Sequence, residues 1–203
     1  MEIIVYVAHV DDELIGAGGT ILKWAKEHTI RIVYASNGIV VHGRPGHDYR
    51  NTAREIGHLL GARSVDFLNI PTMEFDKYGQ LELNKRFLQL GVSYDLIITH
   101  SPSDVNKDHQ IVYQSAQVLS RYCPSKLLCC DSIGFDTVFT PNFFVDITDT
   151  IKRKHQILNL IKEEMRKFPH ERSHRALRAK AEHWGSKVGF KSAEAFDCKK
   201  WTV

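Results

Sequence analysis

Two clusters of histidine and aspartate carry residue types that are suited to metal chemistry. The first contains His9, Asp11 and Asp12 and directly follows an apolar run, and the second contains Asp108 and His109. His9 and Asp12 are three residues apart, so a tight turn can bring both side chains to one point. Two imidazoles and one carboxylate are a familiar ligand set of catalytic zinc, which keeps one coordination position open for water. The spacing therefore predicts a Zn²⁺ site with His9, Asp12 and His109 as ligands.

The two remaining aspartates of these clusters are predicted to be catalytic. Asp11 projects away from the ligand set and is a natural general base for a metal-activated water, whereas Asp108 can orient an imidazole. Two alternatives stay open on spacing alone. Asp11 to Glu13 can act only as an acidic cap of the next helix, and the match between the two clusters can be fortuitous. Capping alone leaves His9 without a role.

Short apolar runs alternate with helical patterns along the chain. Strands are predicted at 3–8, 30–35, 65–70, 94–99, 126–130 and 143–146, and helices at 20–27, 50–60, 81–90, 108–121 and 149–168. This alternation predicts an α/β fold, a Rossmann-like three-layer sandwich whose mainly parallel sheet carries helices on both faces. Ligands of such sheets bind at the carboxyl ends of the strands, where both clusters lie. The glycine run 16–19 is predicted to be a packing turn before the first helix.

Composition favours one soluble domain over residues 1–203. The chain has 203 residues, of which 43% are hydrophobic and 25% charged, and these values exclude a disordered or fibrous protein. No apolar run is long enough for a membrane span, and no basic region precedes the first apolar stretch, so a cytoplasmic protein is expected.

The last quarter of the chain is basic. Residues 151–200 hold 14 Lys and Arg against 6 Asp and Glu. These charges alternate with apolar residues at helical spacing, which favours an amphipathic helix over a nucleic-acid-binding surface. No nucleic-acid partner is predicted, and the charge can instead recruit anionic substrates such as nucleotide-linked sugars.

The first cluster resembles the signature of a known enzyme family. Residues 8–13 read Ala-His-Val-Asp-Asp-Glu, similar to the Ala-His-Pro-Asp-Asp-Glu signature of the PIG-L/LmbE-like zinc-dependent N-deacetylases. Residues 106–109 read Asn-Lys-Asp-His and resemble the second motif of that family, often His-Pro-Asp-His. Further similarities at 18–20, 168–173 and 185–196 extend the resemblance over nearly the whole chain and point to bacterial sugar-modifying members.

The resemblance implies a hydrolase that removes the acetyl group from an N-acetylated amino sugar or its conjugate, a small-molecule substrate. It implies the same zinc ligands and the same general base that the spacing predicts, and it makes Asp108 a residue that supports the site. It also implies that Arg50 contacts the substrate. The alternative for Arg50 is a surface ion pair with Asp48.

Two residues depart from the family pattern. Val10 replaces the proline of the first motif, which removes a preset φ but no ligand. Asn106 replaces a histidine; its amide can donate a hydrogen bond to an oxyanion, so a substrate-binding role is predicted, but it cannot give a proton to a leaving amine. His170 is the predicted catalytic residue that fills this gap, with a structural role at a helix C-terminus as the alternative.

Two other functions stay open at this point. The same metal can serve a hydratase or lyase, and the chain can be a sugar- or metal-binding module without activity. The sequence does not determine which sugar is bound, and it leaves open whether the protein is a homo-oligomer.

Overall fold

The computed structural model describes residues 1–40, 47–122, 126–131 and 138–202. The strands are β1 (Glu2–Val7), β2 (Thr29–Ser36), β3 (Ile39–Val40), β4 (His47–Asp48), β5 (Ser64–Ile70), β6 (Leu96–His100), β7 (Lys126–Cys130), β8 (Phe143–Asp146) and β9 (Ala193–Lys200). The helices are α1 (Asp12–Trp24), α2 (Arg50–Leu60), α3 (Phe75–Gln89), α4 (Lys107–Leu119), α5 (Ile151–Leu158) and α6 (His174–Val188). None of these described helices is long and apolar enough to cross a lipid bilayer.

Seven strands form one sheet in the order β5-β2-β1-β6-β7-β9-β8. The five strands from β5 to β7 are parallel, and β9 runs antiparallel to both of its neighbours. The central strand β1 is a continuous apolar run whose residues Ile3 to Val7 are completely buried, as expected for a parallel strand that is covered on both faces. The predicted mainly parallel α/β sheet is confirmed.

Apolar cores lie on both faces of the sheet. Alternate residues of β1, such as Ile3 and Val5, pack with side chains of α1, α2, α5 and α6. The residues between them, such as Ile4 and Tyr6, pack with α3 and α4. Side chains of a strand alternate between faces, so one short apolar strand supplies both cores. The three-layer arrangement is therefore as predicted.

The first helix begins earlier than its sequence indicates. The sequence predicts a turn for the glycine run 16–19, but the run lies inside α1. A Cβ on Gly19 would come within 2.8 Å of the Ile147 side chain, so the absence of a side chain lets the segment before α5 pack directly on α1. Tertiary packing thus overrides the low helix propensity of glycine.

The C-terminal part departs most from the predicted elements. The sequence predicts a single helix over 149–168, but α5 ends at Leu158, a 3₁₀ turn covers Asn159–Ile161, and the chain then turns irregularly until α6. Helix α6 and strand β9 are not among the predicted elements, because their buried positions are few or carry small residues. Only Leu177, Ala181 and Gly185 are buried in α6. The stretch 162–173 is free to fold over the end of the sheet, where Arg172 contacts the first cluster.

Candidate metal centre and active site

The first cluster forms a tight turn between β1 and α1. The backbone N–H of His9 donates to Oδ2 of Asp12 at 2.8 Å, which closes the turn around the Asp12 carboxylate. Asp11 lies between them with φ at 150°, a backbone conformation that residues with side chains rarely adopt. Strain of this kind persists where the surroundings hold it and is common at functional sites. It directs the neighbouring Asp11 and Asp12 carboxylates to different partners.

The predicted ligand atoms converge at the carboxyl ends of β1 and β6. Nδ1 of His9 lies 3.2 Å from Nε2 of His109 and 3.5 Å from Oδ2 of Asp12, and the third side of this triangle, from His109 to Asp12, is 3.4 Å. Two ligand atoms bound to a tetrahedral zinc ion at about 2.0–2.1 Å are about 3.3–3.4 Å apart. The three donors therefore fit one face of a zinc coordination tetrahedron.

Two further aspartates orient the histidines of this triangle. Nδ1 of His109 lies 2.7 Å from Oδ2 of Asp104, and Nε2 of His9 lies 2.9 Å from Oδ2 of Asp108. Each carboxylate accepts the N–H of one ring nitrogen, so the other nitrogen of that ring keeps its lone pair for a metal. This is the usual carboxylate–histidine–metal arrangement. Asp108 also accepts the backbone N–H of Met73 at 2.8 Å, which ties the loop after β5 to the site.

A second group of donors, His100, Asp104 and His109, also lies close together. His100 is completely buried behind the triangle, and its ring stacks on that of His109 with centroids 3.9 Å apart. Its Nε2 accepts the backbone N–H of Ala8 at 2.8 Å, which occupies the lone pair of that nitrogen. Burial, followed by the charge of His109, holds the pKa of His100 well below its usual value. His100 thus supports the site as a neutral ring, and the triangle remains the better metal site.

The electrostatics of the triangle favour a cation at its centre. Burial opposes the charge of Asp12, but the charge of His109 and the hydrogen bond with His9 outweigh burial and hold the pKa of this carboxyl well below its usual range. Burial likewise lowers the pKa of His9, yet hydrogen bonds to Asp108 and Asp12 outweigh burial and raise it to about 9. A proton on His9 therefore takes the place that a metal ion would fill, and the two compete.

The triangle lies in the wall of a cavity of about 460 Å³. Its other walls come from the loop after β5 with Thr72 and Met73, from the start of α4, and from the 162–173 stretch with Glu164 and Arg172. Asp11 lines the cavity and forms an ion pair with the Arg172 guanidinium. The donors, a carboxyl group that is not part of the triangle and a substrate-sized space thus occur together.

Residues 4–119, which include both clusters and extend from within β1 to the end of α4, match the profile of the family described as PIG-L, GlcNAc-PI de-N-acetylase. The chain belongs to this family. A search of curated protein sequences gives no match.

Solved structures show the same fold at low sequence identity. The N,N′-diacetylchitobiose deacetylase from Pyrococcus horikoshii has a TM-score of 0.75 and 20% identity, over 97% of this chain and 83% of that one. The conserved protein TT1542 from Thermus thermophilus has a TM-score of 0.77 and 19% identity, over 99% and 96%. GalB, the 4-carboxy-2-hydroxymuconate hydratase from Pseudomonas putida KT2440, has a TM-score of 0.74 and 20% identity, over 100% and 97%. At these identities the likeness concerns the fold alone.

Of the remaining predicted site residues, one lines the cavity of this PIG-L family member and two do not. Asn106 lines it and also caps α4, because its Oδ1 accepts the backbone N–H of Asp108 at 2.9 Å. Arg50 is not in the lining; it forms an exposed ion pair with Asp48 at 2.5 Å, which is the alternative that the sequence left open. His170 is also outside the lining and exposed, and its Nδ1 accepts the backbone N–H of Arg172 at 3.1 Å.

Sequence reasoning assigned no role to two residues of this site. Asp104 belongs to the second cluster and to the family resemblance, but it lies five positions before His109, and it contacts that ring because the loop after β6 curls back. Arg172 lies two positions after His170 in the same quoted stretch. The positive charge of Arg172, opposite to that of an aspartate, was the signal in the sequence for this residue. Its pairing with Asp11 requires residues 162–173 to fold over the end of the sheet, which no local sequence pattern indicates.

Proposed function

We propose that the protein is a zinc-dependent N-deacetylase that releases acetate from an N-acetylated amino sugar or its conjugate. The observation that supports this most is the triangle of His9, Asp12 and His109 at zinc-ligand spacing, with Asp11 beside it in the same cavity. Family membership supports the reaction class. The cavity, at about 460 Å³, is within the usual size range for small-molecule sites.

Asp11 has the position of a general base, because it lines the cavity beside the triangle. His9, Asp12 and His109 would hold a zinc ion, and its chemistry there would be to acidify a bound water and to polarise the acetamide carbonyl. Asp11 accepts the proton of the attacking water while the water oxygen bonds to the carbonyl carbon. The ion pair with Arg172 fixes the direction of the Asp11 carboxylate within the cavity.

The oxyanion and the leaving amine need donors that the chain provides at the cavity wall. Since Oδ1 of Asn106 is used in the helix cap, the Nδ2 hydrogens of this exposed side chain remain as donors for a developing oxyanion. Protonated Asp11 returns its proton to the nitrogen as the C–N bond breaks, which yields acetate and a free amine. This route needs no proton from His170, which holds the backbone of Arg172 instead.

The proposal is tested by metal analysis of the purified protein together with an acetate-release screen. The screen covers free, glycosidic and nucleotide-linked N-acetylhexosamines, before and after removal of metal with a chelator and return of zinc. We expect bound zinc and release of acetate that is lost with the metal. Release that survives complete removal of metal, or no release from any acetamido sugar, contradicts the proposal. Hydration of an unsaturated acid without acetate release would favour the hydratase alternative.

The role of Asp11 is tested by Asp11→Asn. We expect the variant to keep its zinc, because Asp11 is not part of the triangle, and to lose acetate release by about 10²–10⁴-fold, the usual contribution of a general base. Asp76→Asn is the matched control, since Asp76 also lines the cavity but contacts no triangle residue among the described contacts. Loss of zinc, or unchanged turnover in Asp11→Asn, would show that Asp11 is not the base.

A further inference from the structure

A second concave surface lies between α5 and α6, apart from the metal centre. This basic groove has a volume of about 310 Å³. It is lined by Lys152, His155, Gln156, Asn159, His174 and Arg178. A neighbouring hollow shares His174 and Arg178 with it and adds Arg175, Ala179 and the carboxylate of Glu182, which forms no ion pair among the described residues. None of its lining residues is shared with the catalytic cavity.

The cations of the basic groove and of the hollow beside it form no ion pair among the described residues. No carboxylate of these residues lies within ion-pair distance of Lys152, Arg175 or Arg178. Other basic residues of the same region do have partners, for example Lys180 with Asp131 at 2.5 Å. Like charges held together on facing helices repel one another, so an anion between them lowers the energy of the arrangement.

The groove also contains a buried histidine with an unsatisfied nitrogen. His155 is 8% exposed, and its Nε2 has no hydrogen-bond partner among the described residues. Its Nδ1 faces Nδ1 of His174 at 2.9 Å, so one of the two atoms carries the hydrogen and the other accepts it. A buried polar atom without a partner is uncommon and indicates either strain or a group that is supplied from outside.

We propose that the basic groove is a binding site for a phosphoryl-type oxyanion. Such a group carries up to two negative charges and several acceptor oxygens. The groove offers the Lys152 ammonium and the planar Arg178 guanidinium, which suits bidentate pairing with phosphate. It also offers two histidine rings beside the first turn of α6, where the helix dipole favours an anion, although Ser173 already caps the backbone N–H of Ala176.

The phosphoryl group has two conceivable sources, free phosphate or a phosphorylated portion of the substrate. The groove and the catalytic cavity are joined through the chain, because Arg172 lines the cavity and His174 lines the groove only two residues later. The proposal that the substrate supplies the phosphoryl group rests on the proposed deacetylase function. The proposal that the groove binds the anion does not.

Binding is tested by titration of the full-length protein with inorganic phosphate while the histidine ring signals are followed by NMR. We expect the signals of His155 and His174 to shift in a saturable manner. We expect the double variant Lys152→Gln/Arg178→Gln to raise the dissociation constant about tenfold or more. The matched control is Lys162→Gln/Lys187→Gln, which removes two exposed cations outside the groove. No shift of either ring, or equal weakening in both double variants, overturns the proposal.

Kinetics with N-acetylglucosamine and its 1-phosphate separate the two sources. If the substrate supplies the phosphoryl group, Lys152→Gln/Arg178→Gln raises the ratio of the KM for the phosphorylated sugar to that for the free sugar. If the anion is free phosphate, this ratio stays unchanged although phosphate binding is lost. Absence of acetate release from both sugars would contradict the proposed function but leave the NMR titration decisive for the groove.

Discussion

The candidate metal site at the carboxyl ends of β1 and β6 and the basic groove differ in whether their charged groups are paired. At the candidate metal site, Asp12, Asp104 and Asp108 are buried, and each lies within 3.5 Å of a histidine. At the basic groove the cations are exposed, and none of them forms an ion pair with a carboxylate in the described part of the chain. Paired buried charges hold a geometry before any ligand arrives, whereas unpaired charges are stabilised only when a ligand comes. The first region is built for chemistry, and the second is suited to binding.

A buried ion pair outside the triangle likewise holds a fixed geometry. Lys154 of α5 contacts Glu194 of β9 at 2.7 Å, and the Glu194 carboxylate also accepts the backbone N–H groups of Gly19 and Thr20 in α1. The Lys154 ammonium in turn donates to the carbonyl of Ile15. The pair fastens the helix that carries Asp12 to two elements from the far end of the chain.

The largest effect is expected from Glu194→Gln. The amide places a donor where the carboxylate accepts an N–H group, and it leaves the Lys154 charge buried without a counter-charge. We expect the free energy of unfolding to fall by about 3–5 kcal/mol, as measured by urea denaturation. Glu182→Gln, on the exposed face of α6, is the control and is expected to change stability by less than about 0.5 kcal/mol. A similar decrease in the free energy of unfolding for Glu194→Gln and Glu182→Gln would show that the buried ion pair with Lys154 does not stabilise the fold.

A smaller effect is expected from Asp104→Asn. The carboxylate accepts from His109 through one oxygen and from the backbone N–H of Asn106 through the other, so an amide must lose one of these bonds. We expect zinc affinity to fall about 10–100-fold, measured by competition with a chelator. Asp76→Asn removes a carboxylate from the same cavity without contacting a ligand, and its zinc affinity should stay near that of the unchanged protein. Equal affinities for all three proteins would contradict the orienting role of Asp104.

The smallest effect concerns the pH dependence of stability in the basic groove. Burial, then the charges of Lys154, His174 and Arg178, lower the pKa of His155 from 6.5 to about 4. Between pH 6.5 and pH 4, His155 is protonated in the unfolded chain but neutral in the folded protein. The free energy of unfolding therefore decreases as the pH falls from about 6.5 to about 4. We expect His155→Gln to remove about 1 kcal/mol of this loss, measured by denaturation at a series of pH values. His58→Gln, which changes an exposed histidine, should leave this loss of stability unchanged. If His155→Gln showed the same pH dependence of stability as the unchanged protein, His155 would not be the group that titrates.

The parallel part of the fold could be predicted because its signals are local. Strands such as β1 are uninterrupted apolar runs bounded by polar turns, and such runs have few alternatives in a chain of this size. The predicted triangle could be placed at one sheet edge for the same reason, since parallel strands end together. Strand β9 was not predicted, because Phe196 is the one large apolar residue of a segment that otherwise holds small and charged residues.

The elements that depend on distant contacts were predicted less well. The glycine run reads as a turn by propensity, yet Ile147 and Glu194 hold it as a helix from more than 120 residues away. The stretch 162–173 reads as the end of one long helix by periodicity, yet it bends so that Arg172 reaches Asp11. In both cases the free energy of tertiary contacts exceeds the modest local preference.

The sequence by itself determined the parallel sheet and the identity of the donors, because both follow from residue types and spacings that act over a few positions. The tertiary structure alone decided which nitrogen of each histidine faces the metal position, that Arg172 rather than His170 reaches the cavity, and that five basic or histidine side chains gather on α5 and α6. These depend on distances between residues that are far apart in the chain, and such distances exist only once the packed layers have formed.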